Sequence, residues 1–401
     1  MRILTFTTLF PNREHPNNAV FIQHRMAAVN RFCDAEVRVV APVPWYPELP
    51  LGAKRYRQLA RVPQQEEIAG LEVVHPRYLV TPKIGMSLYG LFMFLGVLSA
   101  VRRMYQQWPF DIIDAHYVYP DGLAAILLGS VFKCPVVVSA RGTDINLYPR
   151  FRLIRPLIRQ VLAIADGLIS VCRSLADVMI SLGADPKKVK VIPNGVDPLL
   201  FYPLPQQKAR RKLGLGEEGK ILLTVGSLIE RKGIHLLIEA LSILQKQGEL
   251  NFSTYIVGNG EERNRLAAQI KATGLQGQTK LIGEIDNQEL VMWYNAADLF
   301  FLGSSREGWP NVVNESLACG TPVVATRVDG IPDIVCSPDL GVIVERDVRS
   351  FVGALRYAFQ RQWNRKRISQ QGQVRTWQNV ATEVFELFGL IYEQAKTNGQ
   401  K

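Results

Sequence analysis

Two acidic residues, Glu307 and Glu315, stand on either side of the seven residues Gly308-Trp309-Pro310-Asn311-Val312-Val313-Asn314. The apolar run ahead of them, 298–302, reads as a buried strand. Pro310 suits the start of a helix, where a missing N–H costs nothing. Gly320-Thr321-Pro322 then closes that helix before a further strand, 323–326. A strand, a glycine-containing loop and a helix N-terminus together form an anion site, because unpaired N–H groups and the positive end of the helix dipole face one point. Carboxylates repel phosphate but accept hydrogen bonds from sugar and ribose hydroxyls. A ligand with phosphate in the middle and hydroxylated rings at both ends suits the whole set. That is a nucleotide sugar.

Other residues fit the same chemistry. Arg231-Lys232 follow a strand at 221–225 and Gly226, and they open a helix at 234–244. Adjacent cations suit a pyrophosphate, Arg through its planar fork and Lys as a point charge. The helix dipole disfavours bases at this position, which weighs against a merely solvated pair. Gly258-Asn259-Gly260 reads as a tight loop that lets a nucleotide approach. The chain contains no Asp-x-Asp, hence no obvious carboxylate pair for a divalent metal on a diphosphate. The leaving diphosphate would then be stabilised by Arg231, Lys232 and the N–H groups near Asn311 and Val312. In the first half, the strand 112–116 delivers His116 to its C-terminal end, where open α/β sheets bind ligands. The strand 135–139 delivers Arg141-Gly142-Thr143-Asp144-Ile145-Asn146, in which an Arg–Asp ion pair holding the loop and a cleft-lining role stand level.

The Glu-x7-Glu pair, with Gly-Trp-Pro-Asn inside it and Ala318-Cys319-Gly320-Thr321-Pro322-Val323-Val324 behind it, closely resembles the signature of glycosyltransferase family 4. The likeness implies a retaining, metal-independent enzyme of GT-B fold, α/β, with two doubly wound Rossmann-like domains facing each other across a cleft. It implies a nucleotide-sugar donor held by Gly226, Arg231, Lys232, Gly258, Glu307, Gly308, Asn311, Val312 and Glu315, with Glu315 on the ribose and Glu307 on the sugar. It also implies that the leaving phosphate helps to deprotonate the acceptor. Asp114-Ala115-His116 followed by Pro120-Asp121-Gly122 looks like the family segment that sets a histidine beside the transferred sugar. His116, Glu307, Arg231 and Lys232 are therefore the expected catalytic set. Ala19, Arg141, Asp144, Asn146 and Asn194 are expected to line the acceptor side, with Ala19 standing where the family has a glycine in its first loop. No cofactor and no metal are implied. A sugar-nucleotide epimerase or hydrolase of the same fold, and a non-catalytic nucleotide-sugar-binding scaffold, are the alternatives.

These groups need elements to hold them, and the chain supplies alternating strands and helices that predict parallel, doubly wound sheets. At 401 residues it has room for two domains. We place an acceptor-side domain at 1–200 and a nucleotide-sugar domain at 201–376, with prolines 198, 203 and 205 stiffening the link. A last helix, 377–395, carries Trp377, Val380, Val384, Leu387 and Ile391 at helical spacing and needs a docking surface. With 47% hydrophobic and 21% charged residues the composition is that of a globular protein. Five cysteines without a C-x-x-C read as reduced thiols of a cytoplasmic protein. The first ten residues read as a strand rather than a signal peptide. The apolar run 88–101 falls short of the roughly 20 residues of a spanning helix and predicts a buried or interfacial one.

The formal charge is +11. Bases cluster at Lys54, Arg55, Arg57 and Arg61, at Arg102 and Arg103, and at Arg150, Arg152, Arg155 and Arg159, with no acid from 149 to 165. No nucleic-acid motif accompanies them. An anionic membrane surface or a lipid-linked saccharide acceptor fits, with a peripheral position on the inner face of the plasma membrane and a role in surface polysaccharide or glycolipid synthesis.

Overall fold

A computed structural model describes residues 1–45, 58–81, 85–216, 218–248 and 251–399; Lys54, Arg55 and Arg57 lie outside them. Internal contacts divide the chain into Met1–Asn194 with Trp377–Lys401, and Gly195–Thr376. The break falls slightly ahead of position 200.

The first unit is built on an eight-stranded sheet. In chain order its strands are β1 (Arg2–Phe6), β2 (Glu36–Val40), β4 (Gln65–Ile68), β5 (Leu71–Val74), β7 (Ile112–His116), β8 (Val136–Ala140), β9 (Gly167–Ser170) and β10 (Val189–Val191), with β3 (Val43–Trp45) and β6 (Arg77–Leu79) paired separately. The spatial order is β10-β9-β8-β7-β1-β2-β5-β4. Chain direction across the sheet reverses beside β1, so a crevice opens between the ends of β1 and β7. β1 is buried from Ile3 to Phe6, and β7 and β8 are buried throughout, as strands covered on both faces must be. Among the strands of the described residues, β4 and β5 pair antiparallel, which departs from the all-parallel expectation. Their turn is Ala69-Gly70, with φ +52° and +76°, a left-handed pair in which alanine takes the place usually given to Asn or Asp.

Two helices of this unit matter later. The Val20–Phe32 helix begins after Ala19, whose φ of 49° and ψ of 41° are left-handed; alanine here takes the conformation that glycine adopts freely. The Trp377–Gly399 helix packs on it, with Val380, Ala381, Val384 and Phe388 fully buried in the same cluster as Ile22, Met26 and Val29. Gly167, at the start of β9, lets the same helix approach the sheet, since a Cβ there would lie 2.3 Å from Ile391 Cδ1. The helix Arg173–Ser181 follows Cys172, which is extended.

The second unit carries β11 (Lys220–Val225), β12 (Phe252–Val257), β13 (Thr279–Gly283), β14 (Leu299–Leu302), β15 (Val323–Thr326) and β16 (Gly341–Val344), all parallel, in the order β13-β12-β11-β14-β15-β16. Successive side chains serve opposite faces: Leu223 and Phe300 enter one core cluster, Leu222 and Phe301 the other. Direction reverses between β11 and β14, which fixes where a ligand can lodge.

The last helix should act as a structural staple of the first unit. Phe388→Ala removes a fully buried ring and is expected to destabilise that unit by about 3–5 kcal/mol, read as a lower urea midpoint; a loss under about 1 kcal/mol would mean the helix is only loosely docked.

Candidate functional site

The loops leaving β11 and β14 meet at the crevice of the second unit because glycine lets their backbones touch. At Gly233 (φ +70°) an added Cβ would lie 2.1 Å from Gly303 O, and at Gly258 (φ +128°) only 2.0 Å from Gly226 O. Gly258 therefore owes its identity to the neighbouring loop, a nearer cause than the nucleotide approach expected of it. This stacking brings Arg231, Lys232 and Glu307 together. Lys232 Nζ lies 2.6 Å from Glu307 Oε1, and Arg231 Nη1 lies 3.5 Å from the same oxygen while donating to Arg306 O. Ser304 Oγ donates to that oxygen at 2.6 Å, and Asp329 accepts the Glu307 N–H at 2.6 Å. Burial alone would raise the Glu307 carboxyl; Lys232 and Arg231 more than offset it and hold the group ionised, below its ordinary range. The Arg231 side chain remains 32% exposed, so a ligand can still reach it.

Gly308 and Trp309 lead to Pro310, which caps the Asn311–Ala318 helix from an extended conformation. Asn311 and Val312 are its first two residues, so their N–H groups belong to its open end. Glu315 lies about a turn further in. Its Oε2 accepts from Tyr294 Oη at 2.8 Å, and Tyr294 is itself fixed by Thr321 Oγ1 donating to its carbonyl. Burial pushes the Glu315 carboxyl up to about 7.

In the first unit, His116 ends β7 beside the crevice at β1, but it is fully buried. Nε2 lies 2.8 Å from Asp114 Oδ2, and Nδ1 faces the Arg141 guanidinium. A guanidinium only donates, so Nδ1 accepts and the proton sits on Nε2, which lies near Asp114 without hydrogen-bond geometry to it. Burial, reinforced by Arg141 and Arg25 against the pull of Asp114, lowers the imidazole to about 4 and keeps it neutral. Full burial, rather than a hydrogen bond at both nitrogens, keeps the ring from solvent in this arrangement. Arg141 is the more open end of the chain, at 9% exposure, with Phe21 under its guanidinium and Asn194 Oδ1 3.4 Å away. Asp144, expected to face the acceptor, is fully buried and accepts from the N–H groups of Val118, Arg141 and Gly142. It holds the loop through backbone amides rather than through an ion pair with the Arg141 side chain. Asn146 and Ala19 are half-buried. Asp121 accepts from Thr8 N–H and Oγ, tying the loop after β1 to the turn after β7.

Asp329, Tyr294, Thr8 and Arg25 carry no sequence pattern that would single them out. Ser304 does have a local signal, since it stands just past the end of β14 and three residues before Glu307.

This pair of doubly wound units, with two cations and a carboxylate at the second switch point, has the architecture of a GT-B glycosyltransferase. Sucrose-phosphate synthase from Thermosynechococcus elongatus superposes with a TM-score of 0.79 over 98% of this chain and 99% of its own, at 17% identity. Anabaena HepE, solved in complex with UDP, gives 0.69 over the whole of both chains at 19% identity. Residues 205–375 match the glycosyl transferases group 1 model and residues 36–199 the glycosyltransferase family 4 model. TuaC of Bacillus subtilis (strain 168), whose name places it in teichuronic acid biosynthesis, is 27% identical over 371 residues, 90% of each chain. A D-inositol 3-phosphate glycosyltransferase of Thermobispora bispora is 31% identical over 65% of each. The chain belongs to the group 1, family 4 glycosyltransferases and is a transferase enzyme.

The titration of Glu315 gives a test within the second unit. A carboxyl raised from 4.5 to about 7 holds its proton more tightly folded than unfolded, so its contribution to stability falls as pH rises across that window. A ligand whose hydroxyls donate to the carboxylate binds the ionised form. Affinity for a nucleoside diphosphate is therefore expected to rise through pH 7 in the wild type and to lose that rise in Glu315→Gln. Titration calorimetry at several pH values reads it; identical profiles would remove Glu315 from the binding site.

Proposed function

We propose that the chain transfers a sugar, with retention of anomeric configuration, from a nucleotide-sugar donor held by the second unit to a saccharide or lipid-linked saccharide acceptor. The observation that carries this is the convergence of Lys232, Arg231 and Glu307 at the switch point between β11 and β14, ahead of the open end of the helix that bears Glu315. The diphosphate would take the two cations and the N–H groups of Asn311 and Val312, Glu307 would bind sugar hydroxyls, and Glu315 the ribose. Two positive side chains at the diphosphate supply the charge that a divalent ion supplies elsewhere, so the reaction runs without metal. As the glycosidic bond to the leaving phosphate breaks, negative charge grows on that phosphate, next to the ammonium of Lys232. The phosphate then takes the acceptor's proton. His116 is neutral and acts in this scheme by positioning Arg141 on the acceptor side.

Solved relatives of this fold bind UDP, as HepE does, or ADP, as Starch Synthase IV from Arabidopsis thaliana does, which supports a nucleoside diphosphate without fixing the base. The relative in teichuronic acid synthesis supports a surface polysaccharide product. The enzyme would work in the cytoplasm, with its acceptor at an anionic membrane face.

The test is a radiolabelled transfer assay against membrane saccharide extracts with UDP-, GDP-, ADP- and TDP-sugars. One donor class is expected to give product that is undiminished by EDTA. Lys232→Ala should lower kcat/KM by roughly a hundredfold or more. Activity abolished by EDTA and restored by magnesium would contradict the metal-free scheme.

A further inference from the structure

The helix Tyr89–Gln107 is attached to the first unit along one stripe. Its buried residues, Gly90, Met93, Val97, Val101 and Met104, recur every three or four positions and so share one face. Gly90 and Gly96 fix its rotation. A Cβ on Gly90 would lie 2.7 Å from Leu123 Cδ2, and one on Gly96 2.7 Å from the carbonyl of Arg77 and 2.9 Å from Tyr78 Cα. The opposite face has the same spacing. Leu88, Leu91 and Leu95 are 46%, 43% and 59% exposed, with Phe92 half-buried between them. The face continues through Ser99, Arg102, Arg103 and Gln106, all exposed, and the helix contains no acid. By length and composition Met86–Gln107 could cross a membrane, yet only 22% of its apolar window is buried in the protein. A core helix would bury most of it.

A second patch lies across the Val118–Gly122 turn, which packs against both this helix and the Arg155–Ile164 helix. Tyr119 Oη from that turn donates to Met86 O at the start of the first helix. On the far side, Phe151 and Leu153 are 46% and 73% exposed among the exposed Arg150, Arg152, Arg155 and Arg159.

We propose that these two patches form one docking surface for an anionic lipid bilayer, with Leu88, Leu91, Leu95, Phe151 and Leu153 entering the acyl boundary and the flanking arginines on the headgroups. The proposal rests on, and deepens, the reading of an acceptor at a membrane face. Charge complementarity selects the occupant: six arginines in this area with no acid in either segment need an anionic partner, and the exposed leucines need an apolar layer directly beneath it. An anionic bilayer presents both in that order. Long arginine stems can lie along the apolar side chains while their heads stay at the phosphates. Since one face of the helix is held by β6 and the helix at Leu123–Phe132, it lies on the bilayer and does not span it.

The full chain should cosediment with vesicles of phosphatidylglycerol and phosphatidylcholine, less so in high salt, and weakly with phosphatidylcholine alone. The triple variant Leu88→Ser, Leu91→Ser, Leu95→Ser is expected to lower the partition coefficient about tenfold or more. Arg102→Glu with Arg103→Glu should lower it on anionic vesicles only. In Leu91→Trp the introduced indole should be quenched by acyl chains brominated near the headgroup. In each variant an unchanged melting temperature checks the fold, and an unchanged thermal shift with nucleoside diphosphate checks the second unit. Wild-type failure to bind anionic vesicles, undiminished binding by the serine variant, or an unquenched indole in vesicle-bound Leu91→Trp would each overturn the proposal. Leucine-dependent vesicle binding without any nucleotide shift would uphold the surface and count against the donor site instead.

Discussion

The second unit depends on a constraint of charge: Glu307 is 9% exposed and can stay ionised there only because Lys232 and Arg231 face it. An unpaired carboxylate at that depth would take up a proton or force the loop apart. The pairing in turn fixes the ends of β11 and β14 against each other, with Ser304 and Asp329 holding the carboxylate and its backbone from behind. The two cations thus rest on a carboxylate at the point where, in the proposed scheme, a diphosphate would take them. A diphosphate brings more negative charge than one carboxylate, so it can draw the cations off and leave Glu307 free to accept from hydroxyls. In the proposed scheme the same residue would hold the two loops together and then serve as a sugar-binding group.

Each sheet reverses direction beside its first strand, and each puts its polar residues there. The two crevices are filled differently. In the second unit the charges are partly open to solvent. In the first, Asp114, His116, Arg141 and Arg25 are closed into a buried set in which the imidazole is neutral. Burial by itself would raise Asp114; His116 and the two arginines reverse that and keep it ionised. Arg141, at 9% exposure, is the most open member of that set.

Much of this was legible in the residues because it follows from local rules. The bounds of β7 and β15 match the strands read from the sequence, and the meeting of Arg231, Lys232 and Glu307 follows from placing each at a strand end. Partners far apart in the chain were not legible. Tyr294 reaches Glu315 and Asp329 reaches the Glu307 N–H across separate elements, and no spacing rule encodes that. The surroundings of His116 and Asp144 were hidden for the same reason: position at a strand end was readable, but the enclosure of their side chains by Arg141 and by three amides was not. The β4–β5 hairpin was hidden by an alanine in a left-handed turn, and the Arg365–Gly372 helix by a sequence too polar to show an apolar stripe.

The central claim is that the cations stored on Glu307 are the diphosphate site. A crystal structure of the protein with a bound nucleoside diphosphate, grown in EDTA, tests it most directly. The account predicts phosphate oxygens within about 3 Å of Lys232 Nζ and the Arg231 guanidinium, ribose hydroxyls at the same distance from the Glu315 carboxylate, and Lys232 drawn away from Glu307. A nucleotide bound elsewhere, or one bound with the Lys232–Glu307 pair still closed, would contradict it.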